Sequence, residues 1–357
     1  MAVTRPPAVT ASLSTSLTTA QGTWAIAVMG GSAASHNNFW QLFVRRANTG
    51  RWSLATPEGV ADNGGLVAAG GPGSLVVGFR PSQELAYSPL ATSTDAGLNW
   101  TPGLLDAALA DTPGAIAVEP SGRTLALLQD GTIEAAPTAD DAAAGRWVPL
   151  ATLKALAASA PGRSCGLKGV TAVSFGPDQN PVAAGSCVRP GAAGVFTDAG
   201  GTWRSAGLTL PTGGPGMGTV RVLGLTAIPG GNAALLAVGN SLLAAWWDGT
   251  RWTVSAPVTA DGVRALGFGP GGSAWLLLDS ERAETIAGAA GSTWRALPPV
   301  PAGTKVLAPP GALAPGTAGS YDALAVSGSK LTVWRLARGA WGKVQQITVP
   351  VQYGSSG

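Results

Sequence analysis

Residues 93–100, Ser-Thr-Asp-Ala-Gly-Leu-Asn-Trp, form a polar turn with a central glycine that ends in a tryptophan. A tryptophan after a glycine-containing turn occurs seven times among the 13 tryptophans of the chain, at Trp52, Trp100, Trp147, Trp203, Trp252, Trp294 and Trp341. Successive members of this series lie 42 to 56 residues apart. A repeat of about 40–50 residues with one such turn per unit has the size of one blade of a β-propeller.

Each unit contains four short apolar runs, as residues 262–297 illustrate. Three runs, Gly-Val-Arg-Ala-Leu-Gly-Phe, Ala-Trp-Leu-Leu-Leu-Asp and Glu-Thr-Ile-Ala-Gly-Ala-Ala, are separated by short breaks, and Trp-Arg-Ala-Leu follows the turn. Runs of this length, bounded by Gly, Pro or Asp, predict antiparallel strands joined by hairpins. The same order recurs in 114–150 and 221–254. We therefore predict an all-β fold, a seven-bladed β-propeller of four-stranded antiparallel blades.

This propeller is expected to occupy residues 10–352 as a single domain, with an N-terminal tail at 1–9 and a flexible C-terminal tail at 353–357. A four-stranded apolar sheet has two faces to bury, which favours stacking of the blades into a closed ring. Either the N-terminal run at 9–17 or the long run at 341–353 would supply the strand that locks the ring. Residues 150–160 have the composition of a short surface helix.

The composition excludes several classes of protein. Charged residues make up only 11% of the 357 residues, and hydrophobic residues make up 45%, enough for a sizeable core. The formal net charge is +3 and the basic residues are scattered singly, so we expect no nucleic-acid partner. No stretch approaches the roughly 18 apolar residues of a membrane span. We expect the chain on its own to be a monomer.

The two cysteines, Cys165 and Cys187, lie 22 residues apart in the longest interval of the repeat. They form either one disulfide or two buried thiols, and the disulfide is favoured because it would close a long loop. With a single histidine in the chain, a cysteine–histidine zinc site lacks ligands, and we expect no metal and no cofactor. A disulfide and the missing signal peptide together suggest an extracellular or cell-surface protein without its leader, with a cytoplasmic location as the alternative.

The turn at 93–100 matches the pattern S-x-D-x-G-x-x-W at every defined position. The turn at 196–203 matches except for Phe196 in place of serine, and 247–252 is a shortened relative. These turns resemble those of the Asp-box, or bacterial neuraminidase repeat (BNR), β-propellers, which have a sialidase-like fold. The resemblance implies that the boxes lie on the outer rim and that their residues are structural: Ser93, Asp95, Gly97, Trp100, Asp198, Gly200 and Trp203.

Because the family includes sialidases, the resemblance also raises the question of catalysis. A sialidase-like site needs three arginines for the substrate carboxylate, a tyrosine nucleophile with a glutamate, and an acidic residue. Gly78-Phe79-Arg80-Pro81 and the segment around Tyr321 are faint echoes, but Arg80 is only 13 residues before the full box and no glutamate has a matching context. We interpret Arg80 as a turn residue and Tyr321 as the start of an inner strand. Asp140-Asp141 is interpreted as a solvated turn and His36 as a surface residue, so no catalytic residue is assigned.

Binding is the stronger hypothesis. Trp246 and Trp247 are consecutive on a predicted strand and therefore point to opposite faces, which leaves one of them able to be exposed. The candidate ligand-binding residues are Asn37, Asn38, Trp40 and Trp247. We expect a non-catalytic binding or scaffold propeller that recognises a glycan or a protein partner through loops on one face. The alternatives are a sialidase-like or other glycoside hydrolase, and an assembly factor or structural component of a larger complex.

Overall fold

A computed structural model describes the following residues: 14–19, 22–30, 38–46, 49–56, 66–71, 74–79, 90–95, 97–102, 114–210, 218–260, 262–288, 292–309 and 320–349. Asn37, His36 and Arg80, and the two predicted tails, lie outside these ranges.

The described residues are predominantly β-structure, as the repeat of apolar runs predicts. The strands, in chain order, are β1 Ser14–Thr19, β2 Gly22–Gly30, β3 Asn38–Arg46, β4 Trp52–Leu54, β5 Leu66–Gly71, β6 Ser74–Phe79, β7 Leu90–Ser93, β8 Thr101–Pro102, β9 Ala115–Val118, β10 Thr124–Leu127, β11 Ile133–Ala136, β12 Val148–Ala151, β13 Leu167–Phe175, β14 Pro181–Cys187, β15 Ala192–Asp198, β16 Trp203–Ser205, β17 Leu208–Thr209, β18 Val220–Ile228, β19 Gly231–Val238, β20 Ser241–Trp247, β21 Trp252–Val254, β22 Val258–Thr259, β23 Val263–Phe268, β24 Ala274–Leu278, β25 Ala283–Ile286, β26 Arg295–Ala296, β27 Thr304–Ala308, β28 Asp322–Ser327, β29 Lys330–Ala337 and β30 Ala340–Thr348.

Strands that are neighbours in the chain are also neighbours in the sheets, so each group of four forms an antiparallel meander. Five sheets consist of β5–β8, β9–β12, β13–β16 with β17 added beside β15, β18–β21 with β22 added beside β20, and β27–β30. The remaining sheet has eight strands, because the meander β1–β4 and the meander β23–β26 are joined edge to edge. The protein is thus all-β and built from four-stranded antiparallel units.

The join within the eight-stranded sheet is a parallel pairing of β1 with β23, in which Ser14 lies opposite Ala265 and Leu17 opposite Phe268. Of the two terminal runs that were expected to supply the strand that locks the ring, the N-terminal one contributes β1, which pairs with β23. The meander β27–β30 already has four strands of its own, and β1 pairs with β2 and β23 instead. Ser16 fixes this arrangement, since its hydroxyl donates to the carbonyl of Leu307 at 2.6 Å and accepts from the Trp275 indole at 3.1 Å.

The core lies between the sheets, which is why several strands are buried on both faces. All eight residues of β19 and all five of β24 are buried. One apolar cluster joins the meander β13–β16 to β18–β21, and another joins β18–β21 to β23–β26. The second contact is close: a Cβ added to Gly224 would lie 3.0 Å from the ring of Phe268. Successive sheets therefore stack face to face, as the two-sided apolar composition predicts.

Within the described ranges, three short α-helices interrupt the strands: α1 Ala139–Ala143, α2 Leu153–Ala158 and α3 Ala160–Cys165. Each starts at a hydroxyl side chain that caps the first turn, Thr138, Thr152 or Ser159. The helix expected within 150–160 is present as α2, and α3 extends it towards β13. Asp140 and Asp141, interpreted from the sequence as a solvated turn, lie in the first turn of α1. No helix of the described ranges has the length and apolar character that a membrane crossing requires.

Candidate functional site

The meanders give each sheet two distinct ends. One end carries the turns between first and second strands and between third and fourth strands, including the turns at 94–100, 199–202 and 248–251. We call it the Asp-box face, only because the sequences of these three turns resemble the Asp-box pattern. The other end, the connection face, carries the turns between second and third strands and the connections that lead from one sheet to the next. The helices α2 and α3 belong to such a connection, between β12 and β13.

The turn at 94–100 is held by its own aspartate. Asp95 Oδ1 accepts the backbone N–H groups of Leu98 at 3.0 Å and Asn99 at 2.9 Å. Ser93 Oγ donates to the same carboxylate and accepts the N–H of Gly97. Gly97 has a φ of +78°, which an L residue rarely adopts. The hydrogen bonds from Asn99 lower the pKa of Asp95 to about 2, so the carboxylate serves the turn.

In the other two turns an aspartate also accepts backbone N–H groups, but no serine takes part. Asp198 Oδ1 accepts the N–H of Gly201 at 2.7 Å, and Phe196, which replaces the serine, is fully buried in the core. Asp248 Oδ1 accepts from the N–H groups of Thr250 and Arg251, both at 2.8 Å, and its pKa is lowered to about 2 by Thr250 and Arg251. The positive φ falls on glycine in each case, at Gly200, Gly201 and Gly249. Trp100 and Trp203 each pack, partly buried, against a core cluster.

The candidate sugar-binding residues do not form one site. Trp40 is buried and packs with Trp24 and Leu42, so its ring is not open to a ligand. It lies near the start of β3, with Asn38, at the connection face. Trp247 lies at the opposite end of β20, next to the Asp-box face, where its ring packs against Trp252 with centroids 5.6 Å apart. Its neighbour Trp246 is buried and donates to the carbonyl of Gly272 at 2.9 Å.

Of the two residues considered for sialidase chemistry, Arg80 lies outside the described ranges and Tyr321 lies within them. The prediction that Tyr321 starts an inner strand is wrong: it directly precedes β28, the second strand of its meander, whose first strand is β27 Thr304–Ala308. Burial raises the pKa of the Tyr321 phenol above its usual value, which opposes formation of a phenolate nucleophile. The neighbouring Asp322 is 1% exposed and carries a dense set of hydrogen bonds.

Asp322 links the first and last meanders through both of its oxygens. Oδ2 accepts from Arg45 on β3 at 2.5 Å and from the indole of Trp52 on β4 at 2.9 Å. Arg335 donates its Nε to Oδ1 at 2.7 Å and its Nη2 to Oδ2 at 3.0 Å. Burial lowers the pKa of Arg45, and the Asp322 carboxylate opposes that effect. The side-chain amide of Gln345 adds two bonds across the same junction, to the N–H and the carbonyl of Trp52.

The connection face presents a feature that the sequence alone did not reveal. We call the first strand of each meander its inner strand. Four successive inner strands, β13, β18, β23 and β27, each have a basic residue at their second position. We call these four residues the basic arc: Lys168, Arg221, Arg264 and Lys305. Lys168 and Arg221 are exposed, and the other two are partly exposed. Each of these strands starts at the connection face, so its second residue lies at that face.

Backbone irregularities accompany the basic arc. The register of β13 against β14 jumps from Leu167 to Gly169, which leaves Lys168 as an extra residue in a β-bulge. Arg264 and Lys305 are the extra residues of corresponding bulges in β23 and β27. In β18 the irregularity comes two residues after Arg221, between Val222 and Gly224. A bulge re-aims the side chain of the extra residue, so three arc residues are directed by the backbone itself.

Few acidic groups compensate these charges. Arg264 is the exception, because it lies 4.0 Å from Asp279 and 3.6 Å from Glu281. Within the described part of the chain, no carboxylate lies within ion-pair distance of Lys168, Arg221 or Lys305. No group of three metal-ligating side chains is found in the same residues.

A disulfide fixes the part of the connection face nearest Lys168. The Sγ atoms of Cys165 and Cys187 are bonded, with the Cα atoms 5.4 Å apart. The bond joins the end of α3 to the end of β14, and the backbone of Gly166 accepts from the N–H of Val188 at 2.8 Å. Lys168 follows two residues after this clamp, so its bulge is held on a rigid support.

Comparison with known proteins supports the fold at a coarse level. No protein-family model matches the chain, and no curated protein matches it. Among solved structures, a protein from Lactobacillus plantarum is similar with a TM-score of 0.55 and 14% identity, over 92% of this chain and 97% of that one. A protein proposed to be a 6-phosphogluconolactonase, from Bacteroides uniformis, has a TM-score of 0.52 and 13% identity over 92% and 97%. YCF48 from Cyanidioschyzon merolae has a TM-score of 0.50 and 16% identity over 90% and 95%. These are β-propeller-like proteins, and the chain shares their fold.

Proposed function

We propose that this protein is a non-catalytic scaffold with a seven-bladed propeller fold, and that it binds a protein partner through the connection face. The observation that carries the proposal is the basic arc: four successive inner strands present a basic residue at the same position of the same face. A repeated, outward-directed charge costs folding energy unless something binds it, since it adds like-charge repulsion. Recognition residues on a rigid scaffold lose little entropy when they bind.

The seven-bladed reading is supported by the strand groups. The meanders β1–β4, β5–β8, β9–β12, β13–β16, β18–β21, β23–β26 and β27–β30 correspond to the tryptophan repeat of the sequence. The side-chain cluster around Asp322 supports a closed ring, because it joins the first of these meanders to the last. The lowered pKa values of Asp95 and Asp248 follow from the hydrogen bonds by which these carboxylates hold their turns between the third and fourth strands.

A glycan partner is the second candidate, and one observation favours a protein over it. Trp40 lies at the connection face near the start of β3, but it is buried. The following described segments of the face contain no Trp, Tyr, Phe or His: 55–56, 128–132, 152–168, 188–191, 206–210, 218–221, 239–241, 255–260, 262–264, 279–282, 297–305 and 328–330. Aromatic rings supply the amphipathic surface on which sugars stack. The disulfide supports placement of the protein in an oxidising compartment, outside the cell or on its surface.

The proposal is tested by selecting binders from an unbiased library of displayed 12-residue peptides and mapping where they bind. The full chain is the bait, and each selected peptide carries a photo-crosslinking group. We expect crosslinks at the connection face, within 152–168, 218–221 or 297–305. Crosslinks confined to the Asp-box turns, or a glycan array that yields binders where the peptide library yields none, would overturn the proposal. Turnover of a fluorogenic sialoside that Tyr321→Phe abolishes would establish the enzyme alternative instead.

A further inference from the structure

The chemistry of the basic arc identifies the kind of segment that it would hold. We infer that the basic arc binds an acidic, extended stretch of polypeptide laid across the connection face; this inference rests on the proposed function and adds the chemical class of the partner. It starts from the order of the strands. The four inner strands that carry the arc belong to four consecutive meanders, so the charges follow one another around the centre of the face.

Direct contacts show that these strands are neighbours. The hydroxyl of Thr171 on β13 donates to the carbonyl of Val222 on β18 at 2.8 Å. Gly224 on β18 lies against Phe268 on β23. Ser16, on the strand paired with β23, donates to Leu307 on β27. The four strands therefore follow one another from sheet to sheet, and Lys168, Arg221, Arg264 and Lys305 occupy the same position in each of them.

The surroundings of the arc add to its positive charge. The described connection-face segments contain nine basic residues, Lys154, Arg163, Lys168, Arg189, Arg221, Arg264, Arg282, Lys305 and Lys330. The same segments contain three acidic residues, Asp130, Asp279 and Glu281. Asp279 and Glu281 already face Arg264, and Asp130 accepts hydrogen bonds from Thr132 in its own turn. Unbalanced charge of this kind attracts a ligand of opposite sign.

The spacing fits a peptide chain. Neighbouring inner strands approach closely, since the Thr171 hydroxyl on β13 donates to the Val222 carbonyl on β18 at 2.8 Å. An extended chain advances about 3.3 Å per residue, so one peptide can place successive side chains beside successive members of the arc. Guanidinium groups bind carboxylates in a bidentate manner, and lysines act as flexible point charges. An arc of two arginines and two lysines therefore suits glutamate and aspartate side chains presented at several positions.

The test measures binding of a fluorescein-labelled 12-residue peptide of alternating Glu and Ser by fluorescence anisotropy. The same peptide with Gln in place of Glu, the same peptide with Lys in place of Glu, and a labelled heparin oligosaccharide are measured beside it. The arc variant carries Lys168→Gln, Arg221→Gln, Arg264→Gln and Lys305→Gln. The matched control carries Arg51→Gln, Arg204→Gln, Arg251→Gln and Arg295→Gln, four exposed residues of the Asp-box turns and outer strands. Both variants change the net charge by the same amount, and each loses one ion-paired arginine, Arg264 or Arg251.

We expect the Glu-Ser peptide to bind the wild type and the matched control with the same affinity. It should bind the arc variant at least about tenfold more weakly, because an exposed ion pair contributes about 0.2–1 kcal/mol and four such pairs are lost. Raising NaCl from about 0.05 to 0.3 M should weaken the wild-type complex several-fold. Equal losses in the two variants, equal binding of the Gln-Ser peptide, or tighter binding of the heparin oligosaccharide would overturn the inference.

Two further measurements keep the result interpretable. If the arc variant does not fold, judged by circular dichroism, the single variants Lys168→Gln and Lys305→Gln are compared with Arg204→Gln, and each arc variant should lose about twofold to fivefold. If neutral library peptides crosslink to the connection face while the Glu-Ser peptide does not bind, the inference about acidity fails and the proposed function stands. If no peptide binds this face, both fail.

Discussion

Replacing Asp322 should reveal how the first and last meanders are held together. Its carboxylate is 1% exposed and accepts four hydrogen bonds, from Arg45, Trp52 and twice from Arg335. Asp322→Ala removes the only negative charge beside Arg45 that the described residues show, while the Arg45 side chain is only 9% exposed. Breaking the pair in this way lowers the free energy of unfolding because the Arg45 charge stays buried without the carboxylate that balances it.

The magnitude follows from measured cases of this kind. Breaking a buried ion pair by removing one partner costs about 3–5 kcal/mol. With an unfolding entropy of about 2.1 cal/mol/K per residue, the 357 residues give about 0.75 kcal/mol/K, so the melting temperature should fall by about 4–7 °C. Asp322→Asn keeps the shape and loses the charge, so it should lie between the wild type and Asp322→Ala.

Urea unfolding followed by tryptophan fluorescence measures these differences in the free energy of unfolding. The matched control is the double variant Arg45→Met with Asp322→Leu, which removes both buried charges and leaves Arg335, a partly exposed group, able to reach water. This double variant should be more stable than Asp322→Ala, because replacing a buried pair by apolar side chains is often nearly neutral. An Asp322→Ala protein as stable as the wild type would refute the junction as described.

Two other predictions concern the disulfide and the Asp-box-like turns. The Cys165–Cys187 bond joins residues 22 positions apart, and its reduction should lower the free energy of unfolding, measured by urea titration, by about 3 kcal/mol. The reducing agent should leave the stability of a Cys165→Ser, Cys187→Ser variant unchanged. An equal effect of the reductant on both proteins would contradict this prediction. The pKa of Asp95 is lowered to about 2 from its ordinary value near 4, so the stability that it contributes is present above pH 4 and is lost as the pH falls towards 2. The melting temperature of Asp95→Asn should accordingly lie below that of the wild type at pH 7 and converge with it near pH 2; a gap that widens on acidification would show that the carboxylate does not hold the turn.

The sequence predicts the strand order well because each unit repeats the same physical signals. Apolar runs broken by Gly, Pro and Asp indicate hairpins. β23 and β24 lie within the runs from which they were predicted, and β25 begins one residue before its run. The Asp-box turns follow from local chemistry, since Asp95 needs only the N–H groups of the next four residues. Local signals of this kind do not depend on the rest of the fold.

Long-range pairings are beyond such signals. The parallel contact of β1 with β23 joins residues about 250 positions apart and depends on how the sheets stack. The same limit applies to Trp40 and Trp247, which the sequence predicts equally as ligand-binding residues. Trp40 is buried in an intersheet cluster, whereas Trp247 lies at the opposite end of a different sheet, where it packs against Trp252.

The basic arc was missed for a different reason. In the linear sequence its residues are isolated, in Leu-Lys-Gly-Val, Val-Arg-Val-Leu, Val-Arg-Ala-Leu and Thr-Lys-Val-Leu. Superimposing the repeat units would place Lys168, Arg221, Arg264 and Lys305 at one common position, directly after an apolar or threonine residue. The signal was therefore present in the repeat, but only the fold shows that these positions converge on one face.

The central claim, that the connection face is the binding surface, is tested most directly by hydrogen–deuterium exchange of the full chain with and without the Glu-Ser peptide. The account predicts slower exchange at the starts of the four inner strands, in 166–170, 219–224, 262–266 and 303–306, with no change at the turns 94–100 and 199–202. Protection of those turns instead, or an unchanged exchange pattern at a peptide concentration that saturates the anisotropy signal, would contradict it.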